Sequence, residues 1–171
     1  MSKYFIGLMT GTSADSIDGC VVDFTNRFEL IQSRSMNLEK NYKPKYEEAI
    51  KKGFKNKMDD EIVFELEESL NKSSVELIKH LLEEIDAASI SGIGFPGQTM
   101  FHDTERSYQI GCAQYIADEV GIKVIHDFRN YDLQKEVWVR RSFQNSTNIY
   151  LLNQTKEKLF SISEEYLMAL T

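Results

Sequence analysis

Tyr4-Phe5-Ile6-Gly7-Leu8-Met9-Thr10-Gly11-Thr12-Ser13-Ala14-Asp15-Ser16-Ile17-Asp18 runs from an apolar strand into a loop of glycine, hydroxyls and carboxylates. A second apolar run, Cys20-Val21-Val22-Asp23-Phe24, leads out of it. The pair predicts a β-hairpin whose tip carries an unhindered glycine backbone, three hydroxyls and two carboxylates. Backbone N–H groups and hydroxyls suit phosphate oxygens, and carboxylates suit Mg²⁺, directly or through water. No Gly-Lys-Ser/Thr follows, so this is not a Walker A loop. The plainer alternative for such a stretch alone is a polar hairpin turn.

The rest of the composition frames that hairpin. A chain of 171 residues with 42% hydrophobic content suits one ordinary domain with a buried core. A net charge of −7 with no basic stripe argues against a nucleic-acid surface. No basic leader and no bilayer-length apolar run is present, so a membrane partner is not expected. Cys20 and Cys112 read as buried thiols of a reducing cytosol, and the three scattered histidines lack metal-ligand spacing.

Stretches 3–9, 19–25 and 28–37 are strand-length, separated by turn signals, and predict an antiparallel meander. Lys40 to Pro44 ends it, with Pro44 suited to a helix start. From Asp59 to Ile85 the apolar positions keep helical spacing, which predicts one long amphipathic helix. Residues 89–95 are the next strand, 96–99 a turn, and 107–111 a short extended piece. Ala113 to Val120 predicts a helix closed by Gly121, and 122–128 a last strand. The order βββ, α, β, α, β is that of an α/β fold, a mixed five-stranded sheet with flanking helices. Ligands of such sheets gather at strand carboxyl ends, so loops at Gly11–Asp18, Gly97–His102 and Asp127–Asp132 are expected to converge.

Gly7 to Asp18 closely resembles the G-L-M-S-G-T-S-L-D-G-I-D signature of the anhydro-N-acetylmuramic acid kinase family. Gly97-Gln98-Thr99 with His102, Gln109-Ile110-Gly111, and Asp127-Phe128-Arg129 with Asp132 match further signatures of that family in order. The resemblance implies the ribonuclease H-like actin/Hsp70/sugar-kinase superfold and an enzyme that uses ATP and Mg²⁺. It implies that the 1,6-anhydro ring of a recycled cell-wall sugar is opened with water and phosphorylated at O6. By the same resemblance Thr10, Gly11, Thr12, Ser13, Asp15, Ser16, Ile17 and Asp18 bind the cofactor, with Asp15 and Asp18 toward the metal. Gln98, His102, Gln109, Asp127 and Arg129 fall to the sugar. The implied partners are the small sugar and ATP, full-length members being homodimers in the cytoplasm. Two positions depart from the pattern: Ser16 replaces a usual glycine, and Pro96 a histidine.

The chain changes character after the last signature. All nine glycines and both prolines lie at or before Gly121. The resembled family continues beyond Asp132 with a glycine-rich stretch, whereas here Lys135-Glu136-Val137-Trp138-Val139-Arg140-Arg141-Ser142-Phe143-Gln144 follows. Read two bases later, the codons of this tail permit two motifs of that family, Trp138-Val139 necessarily yielding a glycine. The expected division is a kinase subdomain over 1–134 and an out-of-frame tail over 135–171. The resemblance puts the catalytic aspartate and adenosine pocket beyond this point, so no catalytic residue is assigned and no turnover is expected. A non-enzymatic remnant or a weak sugar-binding half-domain is the alternative.

Overall fold

The computed structural model describes residues 4–26, 28–53, 61–102 and 107–129. Asp132 and the whole of 135–171, with the expectation of an out-of-frame tail, lie outside the described residues. Three strands open the fold: β1 (Tyr4–Thr10), β2 (Ser16–Asp23) and β3 (Glu29–Asn37). They form the antiparallel meander that the turn residues predict, with Thr10 opposite Ile17 at the first hairpin and Ser16 opposite Asn37 at the far end. β2 begins three residues earlier than expected, which shortens the hairpin tip. Ser16 and Ile17 extend the ladder because Ile17 is fully buried and fixes the pairing register.

Helices α1 (Tyr42–Lys52) and α2 (Glu61–Leu81) follow. Pro44 sits in the first turn of α1, where its missing N–H leaves no helical bond unmade. α2 is shorter than the 59–85 of the apolar pattern. Leu82 still donates to the Ile78 and Lys79 carbonyls, and the chain then turns away. Its buried stripe, Val63, Leu66, Leu70, Leu77, Ile78 and Leu81, lies against Ile6, Leu8, Ile17 and Val21 of the sheet. Burying each such side chain contributes about 1.5–3 kcal/mol, so this interface carries much of the fold.

β4 (Ile90–Gly94) pairs parallel to β1, and β7 (Val124–Ile125) pairs parallel to β4. The five-stranded order is β3-β2-β1-β4-β7, the mixed sheet that the sequence predicts. Between β4 and β7 come β5 (Gln98–His102), β6 (Ser107–Ile110) and α3 (Ala113–Val120). β5 and β6 form a separate two-stranded sheet. Two expectations are thus corrected. The 96–99 turn ends at Gly97, where a strand starts because Gln98 finds a partner in Ile110. The 122–128 strand is reduced to two paired residues, and Asp127 with φ +64 breaks it. Gly121 closes α3 in the left-handed conformation, donating its N–H to the Ala117 carbonyl, as the C′ glycine rule requires. No described helix is long and apolar enough to cross a membrane.

Candidate functional site

β1, β4 and β7 run parallel, so their carboxyl ends open on one edge of the sheet. Phe95 N–H donates to the Ile125 carbonyl at 2.9 Å and keeps the β4 and β7 exits side by side. The exit of β1 is tied to the start of β5 by two hydrogen bonds of opposite sense. Thr10 Oγ1 donates to the Gly97 carbonyl at 3.0 Å, and Gln98 Nε2 donates to the Gly11 carbonyl at 3.3 Å. Two of the three expected loops therefore meet directly. The third, at Asp127, leaves the same edge.

The tip of the first hairpin is a tight turn. Ala14 N–H donates to the Gly11 carbonyl at 3.1 Å, placing Thr12 and Ser13 at the exposed corner. Ala14 adopts φ +50, a region unfavourable for a side chain, and is held there by complete burial. Ser13 Oγ donates to Asp15 Oδ1 at 2.7 Å, and Leu38 N–H donates to the Asp15 carbonyl at 2.9 Å. The tip thus offers two hydroxyls and one carboxylate to solvent on a backbone anchored from below.

Strand alternation separates the two aspartates. Ile17 and Val21 face α2, whereas Asp18 shares the opposite face with Cys20 and Val22. Asp15 is at the tip and Asp18 within the β2 ladder opposite Met9. Among the described residues no group of three or more His, Cys, Asp or Glu is placed to hold a metal. Mg²⁺ commonly takes one or two carboxylates and completes its shell with phosphates and water, a donor set that exposed Asp15 fits.

The second hairpin sorts its residues by register. Gln98 opposes Ile110 and both are buried, Gln98 to 1% exposure. Gln109 opposes Thr99 on the half-buried side, its amide donating to Ser107 Oγ. His102 ends β5 opposite Ser107, and its side chain lies outside the described residues. Asp127 is exposed and Arg129 half-buried at the β7 exit.

Three polar side chains that the sequence reading left unassigned brace this region. Tyr46 of α1 donates its hydroxyl to the Thr99 carbonyl at 2.8 Å. Glu67 Oε1 accepts from Gly111 N–H at 2.9 Å, and Asn71 Oδ1 accepts from Cys112 N–H at 2.8 Å. Both serve amides at the start of α3, whose N-cap Cys112 makes no side-chain bond of its own. Burial, with a smaller push from the Glu67 charge, raises the Tyr108 phenol to about 12. Glu67 and Asn71 could have been found, since both sit in the apolar stripe of α2 at i, i+4 where apolar residues are expected.

The family model for anhydro-N-acetylmuramic acid kinase matches residues 3–135. The chain belongs to the anhydro-N-acetylmuramic acid kinase family. A protein of that name from Colwellia psychrerythraea is 35% identical over 140 residues, covering 77% of this chain and 35% of the relative. One from Shewanella pealeana is 35% identical over 141 residues, covering 77% and 37%. A third, from Gluconobacter oxydans, is 31% identical over 133 residues, covering 75% and 37%. The chain therefore spans little more than a third of the length of the curated relatives it matches. The kinase-family match includes the first hairpin, the β5–β6 hairpin and the Asp127–Arg129 exit.

Proposed function

We propose that these residues form the nucleotide-phosphate and sugar-facing part of an anhydro-N-acetylmuramic acid kinase. The observation that carries this reading is the first hairpin: an exposed Thr12-Ser13 corner, anchored through Gly11, at the carboxyl edge of a parallel strand trio. The reaction is ATP-dependent ring opening and O6 phosphorylation of 1,6-anhydro-N-acetylmuramic acid, in peptidoglycan recycling in the cytoplasm. Phosphoryl transfer is mostly positioning and charge neutralisation, and a rigid backbone with nearby carboxylates suits it. Thr10, Gly11, Thr12, Ser13, Asp15, Ser16, Ile17 and Asp18 make up the phosphate hairpin. Asp15 is the better placed of its two carboxylates for Mg²⁺, which would neutralise phosphate charge when bound. His102, Gln109, Asp127 and Arg129 are assigned to the sugar together with Gln98. Full-length relatives are proposed to work as homodimers.

The 171 residues alone are proposed to bind phosphate without turnover, because no described carboxylate is assigned as the base for the attacking water. A non-enzymatic remnant or a weak sugar-binding half-domain is the competing reading. Residues 135–171 are proposed to be an out-of-frame tail, a reading supported by their lack of glycine and proline. Incubating the purified chain with the anhydro sugar and MgATP, with mass spectrometry of the product, tests the assignment. No phosphosugar above a no-protein control is expected, and its formation would show that a base has been overlooked. Equilibrium titration should rank MgATP above MgADP and both above adenosine. Equal affinity for adenosine would rule out a phosphate-directed hairpin.

A further inference from the structure

We propose that Tyr46 and Gln98 are positioning residues for the Gly11–Asp15 tip, Tyr46 anchoring the β5 backbone beside Gln98 and the Gln98 amide holding the Gly11 carbonyl. For what the tip then presents, the inference rests on the phosphate reading above. The positioning itself is a property of the chain without ligand.

Proton bookkeeping dictates the orientation. Tyr46 has one hydroxyl proton, and it goes to the Thr99 carbonyl at 2.8 Å. Thr99 directly follows Gln98 in β5, so this bond holds the strand backbone at the root of the Gln98 side chain. Gln98 must turn its NH₂ group, not its carbonyl, toward Gly11, because a carbonyl oxygen accepts only from a donor. One N–H of that group donates to the Gly11 carbonyl at 3.3 Å. With the amide reversed, two oxygens would face each other at Gly11. Gln98 is 1% exposed and Tyr46 9%, so water competes little for these bonds. The cost of this orientation is visible: Gln98 Oε1 is buried without a hydrogen-bond partner among the described residues. It is kept because the Gly11 carbonyl takes the amide N–H in return.

Gly11 is the place where such a hold matters. Its carbonyl already accepts the Ala14 N–H that closes the tip, and Ala14 is in a strained left-handed conformation. Fixing this one carbonyl fixes the direction in which Thr12 and Ser13 project. The Tyr46 bond to Thr99 extends this chain of hydrogen bonds to α1, joining the helix, the second hairpin and the tip. No contact between Gln98 and a ligand is required.

Amide hydrogen exchange on the full chain without ligand tests this, using Tyr46→Phe, Gln98→Leu and the double variant. Each single variant should speed exchange of the Ala14 amide by about 3- to 10-fold, the range expected for one lost hydrogen bond. Leu8 and Ile93 in the central strands should stay within about twofold of wild type, marking the effect as local. Because Tyr46 acts through Gln98, the double variant should exchange no faster than Gln98→Leu alone. Additive acceleration, unchanged Ala14 exchange, or equal acceleration of the central strands would each overturn the proposal. Should Gln98→Leu fail to fold, Tyr46→Phe, which removes one oxygen, decides by the same Ala14-against-Ile93 comparison. Adding MgATP separates the two readings. If it leaves wild-type Ala14 exchange unchanged, the phosphate reading fails while the ligand-free comparison still decides the positioning role.

Discussion

Gly97→Ala gives a demanding test of how the second hairpin supports the first. Gly97 has φ +70, and a Cβ there would lie 2.5 Å from the Ile110 carbonyl oxygen and 3.2 Å from Gln109 Cβ. The left-handed conformation alone costs an alanine roughly 1–2 kcal/mol. The approach to Ile110 meets backbone, which cannot swing aside as a side-chain tip can, and overpacking of this kind adds about 1–3 kcal/mol. Together these cost about 2–5 kcal/mol, and moving residue 97 also strains the Thr10 bond to its carbonyl. Gly121→Ala is the matched control. It has φ +69 with nothing within 4 Å of a Cβ, so only the conformational cost of about 1–2 kcal/mol applies. Urea denaturation of both variants should therefore separate them, Gly97→Ala being the less stable by at least about 1 kcal/mol. If the two fall within about 0.5 kcal/mol of each other, the close β5–β6 approach at Gly97 is wrong.

Other outcomes follow from the packing. Burial pushes the Cys20 thiol up to about 11, only partly offset by a hydrogen bond to the Gly7 backbone. The proton is held more tightly folded than unfolded, so this contribution is whole below about pH 9 and is lost between 9 and 11. The fall in stability over that window should be shallower in Cys20→Ala, and an unchanged slope would contradict the assignment. Thiol labelling at pH 8 should reach half-buried Cys112 well before Cys20, as followed by peptide mass spectrometry. Glu67→Ala and Asn71→Ala should each cost about 1–2 kcal/mol and speed exchange of the Gly111 and Cys112 amides. Glu67→Gln keeps an acceptor and should cost less than Glu67→Ala. Leu70→Ala, at the fully buried centre of α2, should cost about 2–5 kcal/mol by chemical denaturation.

What could be read from the sequence was set by how local its cause is. The meander was legible because turn residues and apolar runs alternate within a few positions, and Gly121 because a helix end needs a left-handed residue nearby. β5 was not, since Gln98–His102 is a strand only by pairing with 107–110, and Pro96-Gly97 in front of it signals a turn. Likewise, the 122–128 run has strand composition, but its pairing extends only from Val124 to Ile125. The hairpin tip was legible as chemistry, its hydroxyls and carboxylates being adjacent in sequence. Its support was not. The burial of Gln98 depends on its register with Ile110, and Tyr46 reaches Thr99 from 53 residues away. Glu67 and Asn71 left a visible trace as polar interruptions of an apolar stripe, although their targets at Gly111 and Cys112 depend on tertiary packing.

Backbone amide chemical shifts of the isotopically labelled chain, titrated with MgATP, test most directly whether the first hairpin is a phosphate site. Perturbations are expected to centre on Gly11 to Asp15 and to extend to Thr10 and Gln98 through their hydrogen bonds, weaker with MgADP and absent with adenosine. Shifts confined to residues away from the hairpin, or the same shifts with adenosine as with MgATP, would contradict it.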